Sequence, residues 1–316
     1  MTIHRPPLGL HIGLPRTGTK TLEWQLFTRH PHIHYMGLRH RRLSLLWPRR
    51  PLRYRSEVAR EFFESQLFGS MDLDAIRRIW QKQQAEVARD QTIVWSLETL
   101  SRGPLALRRG RAKRIWRLLR PCNVIFTLRE PITHLESVYA MLMRGRLRRS
   151  IDETVQPIDA WFEDPQESPF AKFFDHAETV RAYRELFGPE SVKVMLFEKL
   201  QQDPRGFFAE VSEHLGIDAG VGAELYADRV DNARISQRQI RMGIWLRQRP
   251  ALWTAVQRLG RGFRTNLLYR TPRKASTSSQ VLSPANADRV RELSRPSNRW
   301  FREEFGLEVE EYGYTV

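Results

Sequence analysis

Short apolar runs punctuate this chain, and stretches with helical periodicity lie between them. Five runs read as strands: the start of 8–22, then 32–36, 92–97, 123–128 and 191–196. Helices are expected from Thr19 to about His30, with Leu22, Leu26 and Phe27 on one face and Pro31 as the stop. More are expected over most of 57–91, over 104–120, from Pro131 to about Arg144, around Trp161, over 177–187, and from Pro204 to Leu215 with Gly216 as the stop. Ser283 followed by Pro284 is a cap and first-turn pair that opens a last helix. This alternation predicts an α/β fold, with a central parallel sheet, helices on both faces and one domain over 1–316. Residues 240–269 carry an amphipathic stripe (Trp245, Leu246, Leu252, Trp253, Val256, Leu259, Phe263). Within that domain, 240–280 is a basic, aromatic segment that packs as a lid or lies on a membrane surface.

The most informative stretch is LGLHIGLPRTGTKTL, residues 8–22. It reads as strand, Gly-rich turn and first helical turn, an order that aims backbone N–H groups and a helix N-terminus at one anion. The candidate ligands are Arg16, Thr17, Gly18, Thr19, Lys20 and Thr21. Gly13 and Gly18 have the spacing of a GxxxxGK[ST] phosphate loop, but Thr19 intervenes before Lys20. One residue turns a helix by about 100°. Lys20 therefore leaves a different face from the lysine of that motif, which weakens the kinase or ATPase reading. Arg16 stands inside the loop, where its side chain can reach a reacting group. An ordinary Gly-containing turn between strand and helix is the plain alternative.

Gly13-x-Pro15-Arg16-Thr17-Gly18-Thr19 resembles the 5′-phosphosulfate loop of bacterial, carbohydrate-type sulfotransferases. These enzymes use 3′-phosphoadenosine 5′-phosphosulfate (PAPS). The family usually shows a lysine where Arg16 stands; arginine keeps the charge and offers a different fork of donors. Farther on, Arg129-Glu130-Pro131 follows a strand and Ser137 lies eight residues beyond Arg129. This pattern is similar to the family's 3′-phosphate site, and the resemblance implies that the Arg129 fork and the Ser137 hydroxyl grip that phosphate. The run from the 191–196 strand through Glu198, Leu200, Asp203-Pro204 and Leu215-Gly216 also looks like the family, and reads as scaffold. Arg273 and Lys274, in a late basic loop, are the nearest candidates for closing over the nucleotide. The resemblance implies a three-layer α/β/α sulfotransferase fold, related to P-loop nucleotide-binding folds. It also implies PAPS as co-substrate, 3′,5′-adenosine bisphosphate as product and no metal.

Sulfuryl transfer can run in line, with catalysis by positioning and charge stabilisation. Arg16 would stabilise charge on the bridging oxygen, and a general base must take the acceptor's proton. Two residues compete for that role. Glu98 ends the third strand, where cytosolic-type members of the family place a histidine. His40 follows the second strand, near where glycan-type members place a glutamate, inside a basic run that favours its neutral form. Glu98 is preferred, because a buried strand delivers it to the sheet's carboxyl edge.

Composition adds partners rather than chemistry. The 52 basic residues, 7 lysines and 45 arginines, exceed the acids by 16. This favours an acidic partner such as a glycan or glycolipid acceptor, with peripheral membrane contact as a second option. Arginine this evenly spread also fits coding bias. No DNA-reading motif accompanies it, so nucleic acid is set aside. His30, His32 and His34 have no acidic or Cys partner nearby, so they do not read as a metal site. One cysteine, Cys122, excludes a disulfide framework. With no apolar leader-like run at the start, the cytoplasm is the expected compartment. A non-catalytic anion-binding or membrane-surface protein on the same fold is the remaining alternative.

Overall fold

In a computed structural model, β1 (Leu8–Gly13), β2 (Ile33–Tyr35), β3 (Thr92–Ser96), β4 (Asn123–Leu128) and β5 (Val192–Leu196) form one parallel sheet. Their order is β2-β3-β1-β4-β5. Residues 6–37, 72–149, 155–164, 175–227, 241–252 apart from 243, 247 and 250, and 282–316 are described. The strands lie inside or within a residue of the expected runs, because strands buried on both faces show as nearly continuous apolar sequence. β1 pairs with β3 on one side and β4 on the other. The chain leaves β1 toward β2 and later returns past it to β4. Its carboxyl end is thus where the order reverses, and where ligands of open α/β sheets bind.

The described residues fall into two compact units, Met1–Arg129 with Ala177–Arg229, and Glu130–His176 with Val230–Val316. The first holds the sheet. After β1, a single turn α1 (Thr19–Thr21) widens into a π-helical turn, Leu22–Phe27. It buries Leu22, Leu26 and Phe27 on the sheet, as their spacing predicts, but ends about a turn earlier than expected. α2 (Leu73–Ala85) starts at Asp72, whose carboxylate accepts from the N–H groups of Asp74 and Ala75. α3 (Leu105–Leu119) lies where 104–120 was expected.

α4 (Pro131–Arg149) and α5 (Ile158–Glu163) belong to the second unit. α6 (His176–Phe187) returns the chain to the first, and α7 (Phe197–Gln202), α8 (Pro204–His214) and α9 (Ala219–Glu224) follow β5. Phe207, Phe208, Val211 and Leu215 of the α8 segment join Leu22, Leu26 and Phe27 over Val94, Ile125 and Met195. On the opposite face, Phe126 meets Tyr183 of α6 edge to face, with ring centroids 5.2 Å apart. Arg109 of α3 pairs with Glu178 of α6 at 3.0 Å. Helices thus cover both faces of the sheet, and the fold is three-layered α/β/α.

The second unit has its own core. Leu135, Tyr139 and Met143 of α4 pack with Trp161 and Phe162 of α5 and with Val290 of α10 (Pro284–Phe305). Ser283 caps α10 as its sequence predicts, and Asp159 of α5 accepts from Ser283 N, Ser283 Oγ and Asn286 Nδ2 at 2.8–3.0 Å. α4 runs one turn beyond the expected Arg144, and Gly306 ends α10 in the left-handed region. Among the described residues no helix is long and apolar enough to cross a membrane. Residues 38–71, which include the basic run at 39–55 and the start of the helical stretch expected over 57–91, and all of 253–280 lie outside the described residues.

Phe208 is fully buried between helix and sheet. Phe208→Ala should cost about 3–5 kcal/mol, transfer plus cavity. It should be read as a lower urea midpoint with unchanged slope. Arg291→Ala, at an exposed pair with Asp288 on α10, should cost less than about 0.5 kcal/mol.

Candidate active site

The loop after β1 is held from below by close contacts. Gly18 adopts φ +85°, and a Cβ there would come within 2.5 Å of Leu200. Only glycine gives both the left-handed turn and the room. Thr19 sits over Gly13, where a Cβ would meet its hydroxyl at 2.2 Å. Arg16 also has positive φ, at 71°, and is the only non-glycine to do so among the described residues. For an arginine this backbone is strained, and such strain concentrates at functional loops.

Polar atoms in the loop divide into two groups. The Thr17 hydroxyl points inward: it donates to the Leu14 carbonyl at 2.7 Å and lies 2.8 Å from Thr127 Oγ1. Thr17 can therefore meet an anion with its main chain, not its side chain. Thr19 Oγ1 is buried and makes no hydrogen bond of ordinary length among the described residues; the Glu98 carboxyl, on which it acts weakly, stands farther off. A buried hydroxyl in that state is costly unless something polar meets it. Thr21, in the same turn, is half-buried. Lys20 pairs with the buried carboxylate of Glu23 at 3.1 Å. The lysine that is one residue late thus has an acid of its own helix to bind.

Glu98 opens a 3-10 turn, Glu98–Ser101, at the end of β3. Leu97 N donates to the His11 carbonyl at 3.0 Å, and Ser101 Oγ to the Glu98 carbonyl at 2.8 Å. Arg111 of α3 clamps the turn by donating to the carbonyls of Thr99 and Arg102 at 2.7 and 2.6 Å. Burial pushes the Glu98 carboxyl above the usual range. Arg102, bonded to it at 3.1 Å, and Lys20 pull it down; Glu23 pushes it up again, and the Thr19 hydroxyl weakly favours its charged form. A carboxylate with raised proton affinity beside an anion loop has the character of a general base.

Arg129, at the end of β4, is buried and donates from Nη1 to the Arg16 carbonyl at 3.2 Å. Its guanidinium lies over the Phe197 ring, 4.7 Å from the centroid, and Phe197 starts α7 after β5. The ends of β1, β4 and β5 are thereby tied together. Ser137 is on α4 of the second unit, 1% exposed. Glu198 follows Phe197 in α7, half-buried. His40, Arg273 and Lys274 lie outside the described residues.

His30 is structural: its Nδ1 accepts from His32 N at 3.2 Å, so its Nε2 donates to the Asp218 carbonyl at 3.1 Å. The sequence reading passed over His11, Ser96 and Thr127. His11 is buried inside β1, with Nδ1 2.9 Å from Ser96 Oγ and Nε2 3.2 Å from Thr127 Oγ1. Burial drops its pKa to about 4, against a smaller upward pull from Glu23. The available signal was a histidine placed inside an apolar strand.

The structure resembles several solved proteins. A sulfotransferase from Alicyclobacillus acidocaldarius is 20% identical, with 84% of this chain and 97% of that one covered and a TM-score of 0.46. The sulfotransferase domain of the Synechococcus PCC 7002 olefin synthase is 16% identical over 72% and 80%, with a TM-score of 0.42. A mouse sulfotransferase complexed with PAP is 12% identical over 98% and 89%, with a TM-score of 0.42. No curated protein sequence matches the chain. The model of the sulfotransferase family matches residues 10–220, about two thirds of the 316, spanning the sheet and the loop. The chain belongs to the sulfotransferase family.

Proposed function

We propose that this sulfotransferase moves the sulfuryl group of PAPS to a hydroxyl or amine acceptor, with Glu98 as base. The observation that carries the reading is the meeting of three groups at the sheet's carboxyl edge. They are the loop with its buried Thr19 hydroxyl, the raised Glu98 carboxyl and the buried Arg129 guanidinium. The Thr19 hydroxyl fits a ligand rich in acceptor oxygens. Main-chain N–H groups of Thr17, Gly18 and Thr19 bind the 5′ phosphosulfate. Arg16 holds charge developing on the bridging oxygen. Glu98 orients the acceptor and takes its proton, and burial keeps enough basicity in the carboxylate for the transfer.

Arg129 binds the 3′-phosphate, and its bond to the Arg16 carbonyl keeps the fork in register with the loop. The sequence-based assignments of Ser137, Arg273 and Lys274 to that phosphate go with this proposal, as does His40 as the competing base. A net charge of +16 favours an acidic acceptor such as a glycan or glycolipid. Transfer of label from PAPS to extracts of the source cell, followed by identification of the labelled product, tests the reading. The product 3′,5′-adenosine bisphosphate should raise the melting temperature, and ATP with Mg²⁺ should not. The opposite result would favour the kinase reading.

Arg16→Ala should lower kcat by about 10²–10³, the usual cost of one transition-state donor, with a smaller change in KM for PAPS. With Glu98 as base, kcat/KM should rise with pH through a value above the ordinary glutamate range, and Glu98→Gln should remove that limb along with most activity. Stability should move the other way. A raised carboxyl stabilises below its unfolded pKa, and that contribution is lost as pH climbs through the folded value. Denaturant titrations of wild type and Glu98→Gln across that window would show the difference. Arg129→Ala should cost affinity for 3′,5′-adenosine bisphosphate by roughly 1.5–3 kcal/mol. Binding of adenosine 5′-phosphate should scarcely change; an equal loss for both would remove Arg129 from the 3′-phosphate.

A further inference from the structure

Beneath the loop, Ser96, His11, Thr127, Thr17 and the Leu14 carbonyl form one unbroken line of polar contacts, inside a core where all four side chains are at most 3% exposed. Proton counting gives the line a direction. The Thr17 hydroxyl has one proton, and it goes to the Leu14 carbonyl. Thr127 must therefore donate to Thr17. With its own proton spent, Thr127 can only accept from His11, so His11 Nε2 carries the hydrogen. A neutral imidazole then has a bare Nδ1, which accepts from Ser96 Oγ.

We infer that His11 is a positioning residue for the anion loop: as the neutral Nε2–H tautomer it orients Thr127, which holds Thr17 and sets the direction of the loop's N–H groups. The inference rests on the PAPS reading of that loop. Each strand supplies a part of the line. His11 comes from β1, Ser96 from the end of β3 and Thr127 from β4, and register places them side by side, His11 opposite Ser96 and Gly13 opposite Thr127. A charged imidazolium would put a proton on Nδ1, against the Ser96 hydroxyl, and so reverse one link. A hydrocarbon in place of His11 would take from the buried Ser96 hydroxyl its bond to the ring and leave Thr127 tied to Thr17 alone. Space is also tuned to the ring: a Cβ on Gly13 would lie 2.9 Å from His11 Cε1.

The test pairs a spectroscopic signature with binding and kinetics. Long-range ¹⁵N–¹H spectra of the wild-type protein should show His11 protonated on Nε2 alone, unchanged between about pH 6 and pH 8, because burial keeps its proton affinity low. Thr127→Val, which keeps shape and removes the link, should weaken 3′,5′-adenosine bisphosphate and raise KM for PAPS by about tenfold, the worth of roughly one buried hydrogen bond. KM for the acceptor should hold. Thr127→Ser, which restores the hydroxyl, should recover most of the loss, and His11→Gln, an amide donor, should recover more than His11→Leu. An Nδ1–H tautomer would overturn the inference, as would Thr127→Val binding the bisphosphate as tightly as wild type. If the wild-type protein binds no bisphosphate, the PAPS reading itself fails, and the tautomer measurement still judges the line of hydrogen bonds.

Discussion

β1 is hydrogen-bonded on both sides, to β3 from Leu8 to His11 and to β4 from Gly9 to Gly13. In a parallel sheet all carboxyl ends lie on one edge. Three segments far apart in sequence therefore finish beside one another: the loop at 14–18, the Glu98 turn and the Arg129 corner. Ties across that edge hold them there. Leu97 N donates to the His11 carbonyl, Leu14 N to the Thr127 carbonyl, and Arg129 to the Arg16 carbonyl. Shift β1 by one residue against either neighbour and its side chains change faces. His11 would then lose both Ser96 and Thr127.

The low-dielectric floor beneath this edge explains the charges around it. His11 has no solvent and stays neutral, which suits a scaffold. Glu98, less deeply enclosed, keeps a raised proton affinity because burial outweighs the attraction of Arg102 and Lys20. Glu23 is buried beside them, and Lys20 covers its charge at 3.1 Å. That pairing accounts for a lysine that looks misplaced beside the usual phosphate-loop pattern: its position in α1 serves Glu23. Arg16 and Arg129 supply positive charge at the loop in its place. Arginine is suited to such sites, since its fork bonds several oxygens while its face stacks, as Arg129 does on Phe197.

Much of this was legible in the chain itself. Near-continuous apolar runs marked β3 and β4, since a strand covered on both faces needs apolar residues at every position. Helix starts were legible where a cap and a proline coincide, as at Ser283-Pro284 and Asp203-Pro204. Ends were less so. The first helix closes at Phe27 through a π turn, and α4 runs on past Arg144 to Arg149, where no proline or glycine stop marks an end in advance. Gly13 and Gly18 stood out by their spacing, and Gly18 does make the left-handed turn, whereas Arg129 stood out only through the family resemblance of its motif.

Sequence by itself determined the α/β class, the strand identities, the family and the loop, because each follows from local pattern or motif. It was silent on strand order, and therefore on which strand ends meet. His11, Ser96 and Thr127 are 85 and 116 residues from one another along the chain when counted from His11. Nothing local distinguishes them from an odd polar residue in a strand. Whether a buried histidine is neutral, which of its nitrogens holds the proton, and whether Glu98 resists ionisation depend on burial and on neighbours. Those are properties of the packed sheet, and tertiary structure alone decided them.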